Sequence, residues 1–286
     1  MTIRLPLDEQ HRDLFRDQGF LGPLTLMSPE EMATLRVELE EVLRAPGRAP
    51  APDAEQSRGR LADLMAPRNG GSPVPYVESR HLDAPAVHRL CTHPALLSAA
   101  RSLYGADLLL WRSTLISKAP GGPDFQWHQD WGGVFAPGDE YGLEPPLSFT
   151  FWIAISEVSE ENGCLRFVPG TRAVLPAAPG AGRRATLLAD GNAVDPSVPV
   201  PVPLRPGQCV VFTDRALHAS GPNLSGAERI GLAVRLTVPA VRVRPHFPGH
   251  AVQLVSGRDT AGLNTLADAP VTTRVKTNLT EHVDQS

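Results

Sequence analysis

The sequence predicts a mainly β fold with flanking helices, its antiparallel sheet closed or sandwiched in the manner of a jelly roll. Three observations lead there. Helical periodicity is concentrated in the first third of the chain. From Asp107 onward, short alternating or apolar runs are separated by Gly- and Pro-rich turns. The 286 residues show no internal repeat and suffice for one large domain with a substantial core. The expected organisation is one domain over 1–286, mostly helical over 1–106, with its β core over 107–245.

Leu7 to Gln18 reads as a helix, because Leu7, His11, Leu14 and Phe15 share a face and Gly19 can stop it. Phe20 to Leu26 is a short apolar strand. Ser28-Pro29-Glu30-Glu31 starts a second helix, with Ser28 as cap, Pro29 in the first turn and Glu31 completing a capping box. Met32, Leu35, Leu39 and Val42 form its apolar stripe. Ala45 to Gly71 is irregular and rich in Pro, Gly, Ala and Arg; it reads as a surface loop or a lid on a pocket, with Leu61, Leu64 and Met65 as anchors. Pro85 to Arg89 is a short helical turn, and His93-Pro94 opens a helix that runs through Leu103 to Gly105. His81, His88 and His93 read as structural or exposed.

The strands follow. On Asp107–Lys118, simple alternation puts Leu110, Arg112, Thr114 and Ile116 on one face and Leu109, Trp111, Ser113, Leu115 and Ser117 on the other. Asp124 to Trp131 is the next strand, and Gly132 to Pro146 a loop placed to touch substrate. Leu147 to Val158 is a strand carrying Phe149, Phe151 and Trp152. Cys164 to Val168 is a short strand, and Ala173 to Asn192 a second Pro/Gly/Ala stretch. Val198 to Leu204 alternates around prolines, which suits a sheet edge. Gln208 to Phe212 is a strand, and Leu217 to Ser220 follows it, carrying His218. Arg229 to Val243 is a long strand with Ile230, Leu232, Val234, Leu236 and Val238 on one face and Arg229, Gly231, Ala233, Arg235 and Thr237 on the other. From Pro245 the weak patterning predicts a tail that wraps the surface or covers the mouth of the site.

Composition narrows the function classes. The net charge of -4 and the lack of a long basic run leave a nucleic-acid partner without an electrostatic footprint. Cys91, Cys164 and Cys209 form no CxxC unit and read as free thiols in a reducing cytoplasm. Met1 to Gln18 lacks a cationic region followed by an apolar run, so no secretory signal is expected. No apolar segment is long enough to span a bilayer. The expected partner is a small molecule, with no membrane and no protein partner implied.

One stretch carries chemistry: Trp127-His128-Gln129-Asp130. On an extended strand, residues two apart share a face. An imidazole and a carboxylate side by side supply two thirds of a facial triad for ferrous iron, which leaves three positions open. His218, just beyond the strand Gln208–Phe212, is the best candidate for the third ligand. Arg229 opens the next strand eleven residues later, where a guanidinium can clamp a carboxylate through two parallel hydrogen bonds. Arg235 can share its face at greater depth. An HxD pattern alone is common by chance, and the weight comes from this context.

The pattern continues through Glu161-Asn162-Gly163-Cys164-Leu165-Arg166-Phe167-Val168-Pro169-Gly170-Thr171-Arg172 and Leu217-His218-Ala219-Ser220-Gly221-Pro222-Asn223-Leu224-Ser225 to Arg229. In order and spacing, these blocks resemble the phytanoyl-CoA dioxygenase family of iron(II)- and 2-oxoglutarate-dependent oxygenases, from about Leu14 to about Pro245. The resemblance implies a double-stranded β-helix related to the cupins. It implies His128, Asp130 and His218 as iron ligands and Arg229 on the far carboxylate of 2-oxoglutarate. Ser220 matches an assisting serine, Trp152 an aromatic residue lining that site, and Lys118, more loosely, a further co-substrate contact. Gly163, Pro169 and Gly170 match a structural turn. The implied reaction uses iron, 2-oxoglutarate and oxygen to hydroxylate an unactivated C–H bond, releasing succinate and carbon dioxide.

Chlorinating members of the family replace the ligand carboxylate by a small residue; Asp130 is present, which favours hydroxylation. Desaturation, epoxidation and ring closure use the same ligands and stay open. Trp127, Trp131, Val134, Phe149, Phe151 and Arg166 are candidate pocket walls, and Arg166 and Arg112 could meet an acidic group. The expected substrate is an intermediate of specialised metabolism or an amino-acid-like compound. An acyl-CoA thioester is the alternative, hinted at by Arg183-Arg184. A non-catalytic β-helix binding protein would lack a ligand or the arginine clamp, and a cupin-like isomerase or hydrolase would not need Arg229.

Overall fold

The computed structural model describes residues 3, 5–45, 76–130, 142–171, 199–245 and 250–271. The expectations for Leu61, Leu64, Met65, Trp131, Val134, most of the 132–146 loop, the 173–192 stretch and Arg183-Arg184 lie outside them.

Local chemistry sets the helices. Helix α1 (Glu9–Gln18) begins where the Asp8 carboxylate accepts from the His11 backbone N–H at 2.9 Å, and ends at Gly19, whose φ of 82° few side chains tolerate. Helix α2 (Pro29–Arg44) carries the capping box in full: Glu31 N–H donates to Ser28 Oγ at 3.2 Å, and Ser28 N–H to the Glu31 carboxylate at 2.8 Å. Helices α3 (Pro85–Cys91) and α4 (Pro94–Tyr104) follow. His93 caps α4, its Nδ1 accepting from Ala95 N–H at 3.3 Å. His81 is buried with Nδ1 2.8 Å from the Ser113 hydroxyl. Among the described residues no helix is long and apolar enough to cross a membrane.

The strands are β1 (Phe20–Thr25), β2 (Tyr76–Glu78), β3 (Leu108–Lys118), β4 (Phe125–His128), β5 (Leu143–Glu144), β6 (Phe149–Ala154), β7 (Leu165–Val168), β8 (Val200–Val202), β9 (Gln208–Thr213), β10 (Leu217–Ser220), β11 (Arg229–Thr237), β12 (Arg242–Val243) and β13 (Gln253–Ser256). A large antiparallel sheet runs β1-β9-β6-β11-β3-β13, with β2 also on β3; a small one runs β4-β10-β7-β8; β12 pairs with β5. This is a mixed arrangement of helices and a dominant antiparallel sheet that resembles a double-stranded β-helix core. Among the described residues no strand belongs to both sheets, so the closed form of the expected barrel is not made by strand pairing.

Two apolar clusters follow from strand alternation. On one face of the large sheet, Phe149, Phe151, Ile153, Ile230, Leu232, Val234 and Leu236 pack on Phe15, Met32, Leu39, Val87, Leu90 and Leu96 of the helices. On the other face, Trp152, Ala154, Val210, Phe212 and Ala233 meet Leu165, Phe167 and Val202 of the small sheet. The site lies between the sheets, on this second face.

Three expectations need correction. A bulge at Trp111, where Arg235 pairs with Arg112 but Leu236 with Leu110, reverses the facing of β3. Leu110 therefore joins Leu115 against the helices, while Leu109 and Trp111 turn to Val243 and Val252. Strand β11 stops at Thr237, six residues early, because Pro239 has no N–H to give a ladder. Beyond 245 the chain does not merely wrap the surface: β13 pairs with β3.

Candidate metal centre

Strands β4 and β10 are antiparallel neighbours, and their register sets His128 opposite His218. The two rings lie 4.1 Å apart, centroid to centroid. Asp130 follows His128 by two residues, with its Oδ1 3.9 Å from His128 Nε2. One nitrogen or oxygen from each of the three residues lies within 4.8 Å of the others, and all three are buried.

The surroundings set each group's state. His218 Nδ1 lies 2.9 Å from the Ala216 carbonyl, which can only accept, so Nδ1 carries the proton and Nε2 keeps its lone pair. Burial, then the neighbouring His128, push His218 down to about 3, so its imidazole is neutral. Burial alone would raise the Asp130 carboxyl. Arg235, the two imidazoles and the Thr150 hydroxyl outweigh it and hold the group at about 2. A carboxylate and two imidazoles are a fitting donor set for iron(II).

Beside the triad stands a cationic group. Arg229 opens β11 directly opposite Lys118 of β3. It is buried, its guanidinium lies 5.1 Å over the Trp152 ring, and its Nη1 donates to the Gly163 carbonyl. Its Nε has no hydrogen-bond partner, and among the described residues no carboxylate forms an ion pair with it. Burial pushes it down to about 10, opposed only by Cys164. Two glycines make the arrangement possible. A Cβ on Gly231 would lie 2.1 Å from Trp152, and one on Gly163 2.1 Å from the Gly221 carbonyl. Lys118 Nζ donates to Ser220 Oγ at 2.8 Å and to the Gly221 carbonyl at 2.6 Å. Burial, then Arg229, push the Lys118 ammonium down to about 6.

His128, Asp130, His218, Ser220, Trp152 and Arg229 line one cavity that opens to solvent, with Thr114, Ile116, Phe125, Thr150, Leu165, Phe212 and Arg235 among its other walls. Lys118 sits behind Ser220, off the cavity wall. Four candidate walls are elsewhere. Phe149 and Phe151 face the helices. Trp127 and Arg166 alternate with inward-facing neighbours, and Arg166 stacks 5.7 Å over Trp127. Arg112 pairs with Glu78. Thr150, Phe125 and Phe212 were missed. Parity would have found Thr150, since Trp152 on the same strand shares its face.

The model of the phytanoyl-CoA dioxygenase family matches residues 15–231, well over half of the 286-residue chain. The chain belongs to this family. With the triad above, it is an iron(II)- and 2-oxoglutarate-dependent oxygenase acting on a small molecule. The dioxygenase trt7 of Aspergillus terreus is 29% identical over 150 residues, 51% of this chain and 48% of that protein, so this chain spans about half of that relative. A probable alpha-ketoglutarate-dependent hypophosphite dioxygenase of Stutzerimonas stutzeri is 26% identical over 88% of this chain and 87% of its own. Among solved structures, the non-heme monooxygenase ThoJ superposes with a TM-score of 0.65 at 26% identity, covering 91% of this chain and 88% of that one.

Proposed function

We propose that His128, Asp130 and His218 hold the iron, that Arg229 with Ser220 grips the far carboxylate of 2-oxoglutarate, and that the enzyme hydroxylates an unactivated C–H bond of a partly apolar small molecule. The observation that carries this is Arg229: a buried guanidinium with no acidic partner among the described residues, on the same cavity as the triad. A buried charge of that kind is strongly destabilising until a counter-charge arrives. Trp152 flanks the guanidinium, and Lys118 fixes the Ser220 hydroxyl from behind.

Iron held by these residues would let O2 act as the oxidant, one oxygen atom going into succinate as 2-oxoglutarate loses carbon dioxide and the other into the C–H bond of the substrate. The protein positions the groups and keeps water away. His218 presents Nε2 because Ala216 holds Nδ1. Ile116, Phe125, Leu165 and Phe212 give the cavity an apolar wall, which supports a partly apolar substrate; the class proposed for it is an intermediate of specialised metabolism or an amino-acid-like compound. The retained carboxylate of Asp130 supports hydroxylation over chlorination. The facing sheets and the helix-packed core support a double-stranded β-helix built as one domain. The free buried cysteines fit a cytoplasmic setting.

The test is a substrate screen on anaerobic protein loaded with ferrous iron and 2-oxoglutarate. The visible charge-transfer band should appear on loading and shift as a true substrate enters, with one hydroxylated product per succinate once oxygen is admitted. Failure of the band to form in wild-type protein would count against the reading.

A further inference from the structure

The two oxygens of the Asp130 carboxylate have different surroundings. Oδ1 is the oxygen near His128, 3.9 Å from Nε2. Oδ2 accepts a hydrogen bond from the Thr150 hydroxyl at 3.1 Å and lies 3.5 Å from Arg235 Nε. Arg235 is itself tied down, its Nη1 donating to Thr114 Oγ1 at 3.0 Å. Neighbouring strands build this cradle in register: β11 sets Arg235 opposite Thr150 of β6, and Ala233 opposite Thr114 of β3. All four residues are buried. Sequence alternation alone puts Arg235 on the site face but says nothing of which oxygen it meets.

Resting on the iron reading above, we propose that Thr150 and Arg235 are positioning residues that reserve Oδ2 of Asp130 and leave Oδ1 as its only oxygen for the metal. Carboxylates ligate metals through one oxygen or through two. Ligation through two would consume one of the three positions that a facial triad leaves open. The reaction needs all three for its two co-substrates. A hydrogen bond and a charge on the same oxygen also fix the side-chain torsion, so the ligand is oriented before metal arrives. The two contributions are separable: Thr150 supplies direction, and Arg235 supplies charge.

Cobalt(II) reads this directly, because the intensity and position of its visible bands follow coordination number. The experiment compares cobalt-loaded wild type with Thr150→Val, Thr150→Ser and Arg235→Lys, recording the cobalt spectrum, the 2-oxoglutarate affinity by calorimetry and the metal-free melting temperature. Thr150→Val should change the cobalt spectrum and weaken 2-oxoglutarate binding; losing the partner of a metal ligand usually costs about 10–100-fold in metal affinity or activity. Thr150→Ser, which keeps the hydroxyl, should restore both. Arg235→Lys should fall between wild type and Thr150→Val, and carries the same measurement if Thr150→Val does not fold. A wild-type spectrum and wild-type co-substrate affinity in Thr150→Val, with only the melting temperature moved, would reduce Thr150 to packing and overturn the proposal while the iron reading stands. If wild type and His218→Ala alike bind neither cobalt nor 2-oxoglutarate, both fall together.

Discussion

Arg229 is where residue-level physics is sharpest. It is buried, held by one carbonyl and one indole face, and has no acidic partner among the described residues. Arg229→Gln should weaken 2-oxoglutarate binding by about 1.5–3 kcal/mol, roughly 10–100-fold, as for a lost charge-assisted hydrogen bond. Metal binding should be little changed, and an anaerobic titration of each ligand separates the two. Gly231 matters for a different reason. Trp152 lies across it so closely that any Cβ would meet the indole at 2.1 Å. Gly231→Ala should therefore cost about 1–3 kcal/mol in stability, seen as a lower melting temperature, and should displace the ring that flanks Arg229.

At the scale of elements, the turn between β9 and β10 carries a titrating group. Burial pushes the Asp214 carboxyl from 3.8 up to about 6, with Arg215 opposing. The folded state thus binds a proton that the unfolded state has already lost between these values. Asp214 is neutral at no cost below about 4, and its penalty grows to full size above about 6. Asp214→Asn should raise the melting temperature at pH 8 and leave it nearly unchanged at pH 4; an equal gain at both would contradict this. Elements also show what a sequence displays. The glycine stop of α1, the capping box of α2, the edge position of proline-bearing β8 and the facing of β11 were all legible, since each follows from local rules. The reversal of β3 was not. A bulge is defined by the partner strand, and only the pairing of Leu236 with Leu110 reveals it. On β6 the information was present but misread: Phe149 and Phe151 drew attention as aromatic residues, whereas parity assigns them to the helices and gives Thr150 and Trp152 to the site.

For the molecule as a whole, one apolar cluster joins the N-terminal helices to the strands of the large sheet. Phe151, fully buried within it, is a suitable probe. Phe151→Ala should cost about 3–5 kcal/mol. Helical and aromatic circular-dichroism signals should still melt together, as one cooperative domain requires. The grouping of His128, Asp130 and His218 was legible at long range because motif spacing and order pointed to it across ninety residues, and β4-β10 pairing brings His218 to His128. The substrate was not legible in that way, since no single residue type marks the walls Ile116, Phe125 and Phe212 that three separate strands contribute.

The central claim is that His128, Asp130, His218 and Arg229 form a working iron and 2-oxoglutarate centre. Its most direct test is succinate formed from 2-oxoglutarate under air, with ferrous iron added or withheld, in wild type and in His218→Ala. The account predicts succinate in wild type only when iron is present, and none above background in His218→Ala. Equal succinate from both proteins, or none from iron-loaded wild type that has been supplied with its substrate, would contradict it.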